Sequence, residues 1–159
     1  MGSMTSKPMA DSGADSPIDT SFLEHLVGYN MRRASLSATS DFLQCMAAYE
    51  LRPVDFSVLS LLIRNPTVTS RQVCRALSIL PPNLVSVVNA LEQRGALTRQ
   101  PHPRDKRADM LVISAEGKKL IRAAEAAAQA QDLASTAALS EKERAKLVQL
   151  LKKLYQPEA

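Results

Sequence analysis

The stretch from Leu84 to Gly117 constrains this chain more than any other. Leu84, Val87, Val88 and Leu91 recur at i, i+3, i+4 and i+7, which makes one face of a helix apolar. Asn83, Ser86, Asn89 and Gln93 fall on the opposite face, short polar groups of the kind that meet base edges in DNA. Gly95 supplies the residue able to take φ > 0 that commonly ends such a helix. An apolar strand follows from Leu97, then a proline-rich basic loop, Pro101 to Arg107, and a second strand, Met110 to Ile113. Helix, strand, basic loop, strand is the order of a winged helix-turn-helix. A DNA-binding surface is the expectation.

The remaining punctuation extends this to a mostly α fold with α+β winged helix-turn-helix character: about six helices plus a small β-hairpin wing. Ser21-x-x-Glu24 has the form of a capping box, with an apolar-rich helix after it to about Ala48. Pro53 opens a second helix that Asn65-Pro66 closes. Thr67-Val68-Thr69 reads as a short strand, and Thr69-x-x-Gln72 as a second capping box opening a helix to Leu77. There Val73 and Leu77 point inward, while Arg71 and Arg75 share an outward face. Ser78-Ile79-Leu80 makes the turn into a helix begun by Pro81-Pro82, where missing N–H groups cost little. Ser114 caps an alanine-rich helix to about Ala134. Ser140-x-x-Glu143 caps a last one with Leu147, Leu150, Leu151 and Leu154 on one side.

Four segments result: a flexible tail over 1–19, in which Met1-Gly2-Ser3 reads as an expression scar; an N-terminal dimerisation helix over 20–50; the winged module over 51–114; and C-terminal dimerisation helices over 115–156. The first helix, at about 28 residues, would extend about 42 Å. With the leucine-striped last helix it carries more apolar surface than one winged module covers, so a two-fold homodimer is expected. Such a dimer suits a palindromic operator whose half-sites lie about one helical turn apart.

Charge is concentrated where this reading needs it. Between Arg71 and Arg107 stand seven basic residues, Arg71, Arg75, Arg94, Arg99, Arg104, Lys106 and Arg107, against Glu92 and Asp105 alone. The rest of the chain is nearly neutral. A cationic module on a neutral body is the footprint of a phosphate-binding surface. Arg71 and Arg75 are expected on phosphates, and Asn83, Ser86 and Asn89 toward the major groove. Asn83 has an alternative role as a helix cap, and the arginines an alternative as free surface charges.

The segments Pro82-Asn83-Leu84-Val85, Leu91-Glu92-Gln93-Arg94-Gly95-Ala96-Leu97-Thr98-Arg99, Asp105-Lys106-Arg107-Ala108 and Leu111-Val112-Ile113-Ser114-Ala115-Glu116-Gly117 together resemble the MarR family of bacterial transcriptional regulators. The resemblance spans about Ser21 to Tyr155. It implies a homodimeric repressor that leaves its operator when a small molecule, often an aromatic acid or related compound, binds. It implies that Arg107 enters the minor groove while Asp105 holds it by an ion pair, with Arg104 and Lys106 adding attraction to phosphate. It also places the effector between the dimerisation helices and the winged module. On the first helix His25, Tyr29, Arg32 and Arg33, beside Gly28, are the candidate effector residues: a ring and cations for an aromatic carboxylate or its coenzyme A thioester. Gly28 inside a helix suggests a close approach or a cavity.

Other chemistries find little support. Cys45 and Cys74 read as core residues, and His25 and His102 are too few and too far apart for a zinc site. No glycine-rich phosphate loop or nucleophile arrangement is present, so neither enzyme activity nor a cofactor is expected. No apolar run approaches the roughly 20 residues that cross a bilayer, and a cytoplasmic location with no membrane partner is expected. The alternative function is a winged-helix dimerisation or protein-interaction module that never touches DNA. Retention of Asp105-Lys106-Arg107 with the surrounding charge argues for DNA.

Overall fold

The computed structural model describes residues 18–102 and 109–155. Its elements are α1 (Ser21–Glu24), α2 (Val27–Ala47), α3 (Pro53–Arg64), β1 (Val68–Thr69), α4 (Ser70–Leu77), α5 (Pro81–Gln93), β2 (Leu97–Pro101), β3 (Asp109–Ile113), α6 (Ala115–Ser135) and α7 (Glu141–Tyr155). The three strands form an antiparallel sheet in the order β1-β3-β2. Val68 faces Leu111 across one side of β3, and Leu97 faces Ile113 across the other. Two compact units divide the chain, Met1–Ser35 and Leu36–Ala159.

In the first unit the expected single helix is broken. α1 stops at Glu24, and α2 begins at Val27 and runs 21 residues rather than about 28. The break is held by Asn30, whose amide donates to the carbonyls of Glu24 (2.7 Å) and Leu26 (2.9 Å), and by His25, whose Nδ1 lies 2.6 Å from the Ser21 carbonyl. The Ser21 capping box does not form. Thr20 is the N-cap instead, without a side-chain cap bond, and its hydroxyl donates to Glu24 at 2.5 Å. Gly28 does not mark a close approach within the chain, because a Cβ there would meet nothing within 4 Å.

The second unit holds the core. The buried stripe of α5 (Leu84, Val87, Val88, Leu91) lies in one apolar cluster with Val58, Leu59 and Leu62 of α3, Val73 of α4, Leu97 and Leu111 of the sheet, and Ile121 and Ala124 of α6. Met46, late in α2, is fully buried in the same cluster. The division between the two units falls at residue 35, inside α2, and the later part of that helix packs with the second unit. The segments drawn over 51–114 and 115–156 fall in one unit, and Ile121 and Ala124 are buried in the same core cluster as α3, α5 and the sheet.

Local chemistry sets the ends of the elements. Thr69 caps α4 reciprocally with Gln72, its Oγ1 accepting from the Gln72 N–H and its own N–H donating to Gln72 Oε1 at 2.8 Å. α4 and α5 meet at 113°, in the range of a helix-turn-helix, through a turn in which Ser78 is left-handed (φ 52°). After α5, Gly95 takes φ 73°, and the amides of Gly95 and Ala96 close on the carbonyls of Glu92 and Leu91, a Schellman ending. Ser114 Oγ accepts from the Gly117 N–H at 2.9 Å and donates to the Gly95 carbonyl at 2.6 Å, so one hydroxyl caps α6 and ties it to the end of α5. Ser114→Ala is expected to cost about 1 kcal/mol, the usual range for a lost N-cap, measured by urea denaturation at fixed protomer concentration.

The leucine stripe of α7 finds no cover among the described residues. Leu147, Leu150, Leu151 and Leu154 are all exposed, Leu154 by 61%. Such a stripe needs a second apolar surface. No single helix among the described residues is long and apolar enough to cross a membrane.

Candidate functional site

Arg71 and Arg75, one turn apart on α4, are both exposed and make no hydrogen bond or ion pair among the described residues. Their outward placement follows from Val73, which is fully buried between them in sequence. On α5 the buried stripe forces Asn83, Ser86 and Asn89 to the surface. The capping alternative for Asn83 is not realised: Leu80 is the N-cap, and only the backbone N–H of Asn83 bonds to it, at 3.0 Å.

Asn89 is not a free base reader. Its Oδ1 accepts from Arg99 Nη2, while Arg99 Nη1 pairs with Glu92. A guanidinium has donors only, so the amide must turn its oxygen to Arg99 and its NH2 outward. Arg99, on β2, therefore joins the wing strand to the recognition helix. Arg94 is committed too, donating to the carbonyls of Glu50 (2.9 Å) and Tyr49 (2.8 Å) beyond the end of α2. Two of the seven cations counted from the sequence thus serve the fold. Sequence spacing hides this, since Arg94 and its acceptors lie more than 40 positions apart. Arg104, Asp105, Lys106 and Arg107 lie outside the described residues.

A cavity of about 670 Å³ opens between the later part of α2, α3 and α6. Phe42 and Phe56 meet edge to face at one part of it, their ring centroids 5.2 Å apart. Ser60, Arg64, Arg122 and Glu125 supply polar lining. Periodicity places them there: Phe56, Ser60 and Arg64 follow each other by four on α3, and Arg122 and Glu125 are three apart on α6. Arg64 grips both oxygens of Glu125, and Ser60 Oγ donates to the same carboxylate at 2.5 Å. The Arg64 hydrogen bond holds the Glu125 carboxyl below its ordinary pKa, against the opposing effect of partial burial and with help from Ser60. The same contact raises Arg64. The sequence offered no signal for this pair, whose members stand 61 positions apart.

The four candidate effector residues lie elsewhere, on the first unit. His25 ends α1, Tyr29 is half-buried, and Arg32 and Arg33 are exposed. None of them lines the cavity. Cys45 and Cys74 are free thiols, half-buried against the core. Among the described residues no group of three or more His, Cys, Asp or Glu side chains is placed to hold a metal ion.

Known proteins fall on the same pattern. A MarR family model matches residues 49–108. The transcriptional repressor CouR, solved on a 23-mer DNA duplex, is 32% identical, with a TM-score of 0.85 over 89% of this chain and all of that one. CouR bound to p-coumaroyl-CoA is 31% identical, with a TM-score of 0.78 over 89% of this chain and 99% of that one. A Thauera aromatica protein assigned as the transcriptional regulator for the hcr operon is 29% identical over 134 residues, 84% of this chain and 81% of its own length. This chain belongs to the MarR family of winged helix-turn-helix transcriptional regulators.

Proposed function

We propose that this regulator binds a palindromic operator as a homodimer and leaves it when a small aromatic acid, or the coenzyme A thioester of one, occupies the cavity between α2, α3 and α6. The observation that carries the reading is the exposed α4–α5 surface, where Arg71 and Arg75 have no partner among the described residues and Asn83 and Ser86 stand clear of the core. α5 enters the major groove, α4 meets the backbone, and Arg107, held by Asp105, reaches the minor groove with Arg104 and Lys106 beside it. Asn89 contributes through its outward NH2. The likeness to CouR on DNA and with p-coumaroyl-CoA supports both halves. α7 and the N-terminal helices supply the dimer interface, which covers the leucine stripe.

The cavity replaces the first helix as the favoured effector site. It offers an aromatic wall, Phe42 and Phe56, beside hydrogen-bonding groups, the usual composition of a small-molecule pocket. Titrating the dimer by fluorescence polarisation against duplex from its own upstream region, with unrelated duplex as control, tests the DNA half. Sequence-dependent binding that weakens steeply with salt is expected, and equal binding to both duplexes at every salt concentration would overturn it. In the same assay Asn83→Ala is expected to lose about 1–3 kcal/mol of discrimination at one base pair per half-site. A uniform loss across all sequences would make Asn83 a backbone contact instead.

A further inference from the structure

The cavity contains its own answer to a negative charge. Of its charged lining residues, Arg64 and Arg122 are positive and Glu125 and Asp132 negative, so their formal charges cancel. Arg64, the cation that a carboxylate would seek, is already occupied. Its two terminal nitrogens lie on the two oxygens of Glu125, and Nη1 also donates to the Ser60 carbonyl at 2.9 Å. Glu125 is doubly secured, by Arg64 and by the Ser60 hydroxyl, and its side chain is only 22% exposed. An arylcarboxylate with its ring against Phe42 and Phe56 and its charge turned to Arg64 would bring a second negative charge beside Glu125 and meet a guanidinium already compensated. Like charges brought together in a partly desolvated site repel each other. A neutral acyl carbonyl incurs no such repulsion. Arg122 is the cavity's remaining cation, exposed and without an ion pair among the described residues, so it stands where a ligand's anionic remainder would reach solvent.

We propose that Glu125 makes this cavity select an aryl-acyl thioester, whose negative charges sit on a distant phosphate-bearing arm, over the corresponding free arylcarboxylic acid. The inference rests on the effector reading above and names the ligand class for that site. Glu125 is its specificity-determining residue: it neutralises Arg64 and repels a carboxylate, and Arg122 receives the anionic arm.

The test measures direct binding of 4-coumarate, 4-coumaroyl-CoA, benzoate and benzoyl-CoA to the intact dimer by calorimetry. Wild type is compared with Glu125→Gln, which keeps the size of the side chain and one accepting oxygen while removing its charge, and with Phe56→Ala. Wild type is expected to bind at least one thioester about tenfold or more tighter than its acid, a difference of about 1.4 kcal/mol. Glu125→Gln frees the charge of Arg64 and is expected to tighten acid binding about tenfold while changing thioester binding less than about threefold. Acid binding that does not improve in a folded Glu125→Gln dimer, with thioester binding retained, overturns the role of Glu125 and leaves the effector site standing. Thioester binding unchanged by Phe56→Ala, or absent from wild type, removes the cavity as the effector site and the inference with it. Thermal melts of each variant separate loss of binding from loss of fold.

Discussion

Replacing Arg71 and Arg75 together by alanine is expected to weaken DNA binding about a thousandfold at 0.15 M salt while leaving the preference for one sequence over another intact. The magnitude follows from counterion release. Each phosphate neutralised contributes about 0.9 to the slope of log K against log salt. Two arginines in each of two protomers make four contacts, so the slope should become shallower by about 3.6. At 0.15 M salt each contact is then worth about 0.7 of a decade. The structure gives these side chains no competing duty: both are exposed on α4, with no hydrogen bond or ion pair among the described residues, so their removal should not unsettle the fold. Phosphate contacts set register without reading bases, which is why specificity survives. Polarisation titrations at three or more salt concentrations, on operator and on random duplex, read both quantities. An unchanged slope would take α4 off the backbone.

Gly117→Ala is expected to cost about 3 kcal/mol or more, although both residues are small and alanine is the better helix former. A Cβ at this position would lie 2.0 Å from the Ala96 carbonyl oxygen and 2.9 Å from both the Ala96 carbonyl carbon and Ile113 Cγ1. Two of those atoms are backbone of Ala96, just before β2, and that same Ala96 oxygen accepts the Ser114 N–H at 3.0 Å. No rotamer change relieves such a clash, so helix and strand must part, and the cost falls at or beyond the upper end of ordinary overpacking. For a chain of this length each kcal/mol lowers Tm by about 2–4 °C. Gly28→Ala is the internal control. With open space around its Cβ, the substitution should leave stability unchanged or raise it by up to about 1 kcal/mol. A Gly117→Ala variant that melts with wild type would refute the close approach.

Elements whose causes are local were legible in the sequence. The Thr69/Gln72 and Ser140/Glu143 boxes form as spaced, as do the Ser114 cap, the Gly95 ending and the buried stripe of α5, because each depends on residues within a turn or two. The Ser21 box fails for a reason of the same kind: Thr20 takes the N-cap and its hydroxyl bonds Glu24, while the Ser21 N–H bonds Asp19. Asn30, nine positions on, offers its amide to the carbonyls of Glu24 and Leu26, and the helix breaks there rather than running through. The outward placement of Arg71, Arg75, Asn83 and Ser86 was legible, because burial of one stripe dictates exposure of the other. Arg94 and Arg99 were not, because an arginine seeking backbone carbonyls or a neighbouring carboxylate looks in sequence like one seeking phosphate. Least legible was the cavity: it needs α3 and α6 side by side, and only the folded core brings Ser60 and Arg64 to Glu125.

Thr69 belongs to two elements at once: it ends β1 opposite Met110 of β3, and its side chain begins α4. Strand β3 is thereby laced on one side to β2 and on the other to the residue that starts the first helix of the helix-turn-helix. A wing hung on β2 and β3 alone could tilt while α4 and α5 stayed docked. Here a tilt of β3 pulls on the first turn of α4, and Arg99 pulls on α5. The backbone amides of β3 and of the start of α4 should exchange with solvent in one shared opening, as a single cooperative unit. Release from DNA is then expected to take the helix-turn-helix and its sheet off as one unit.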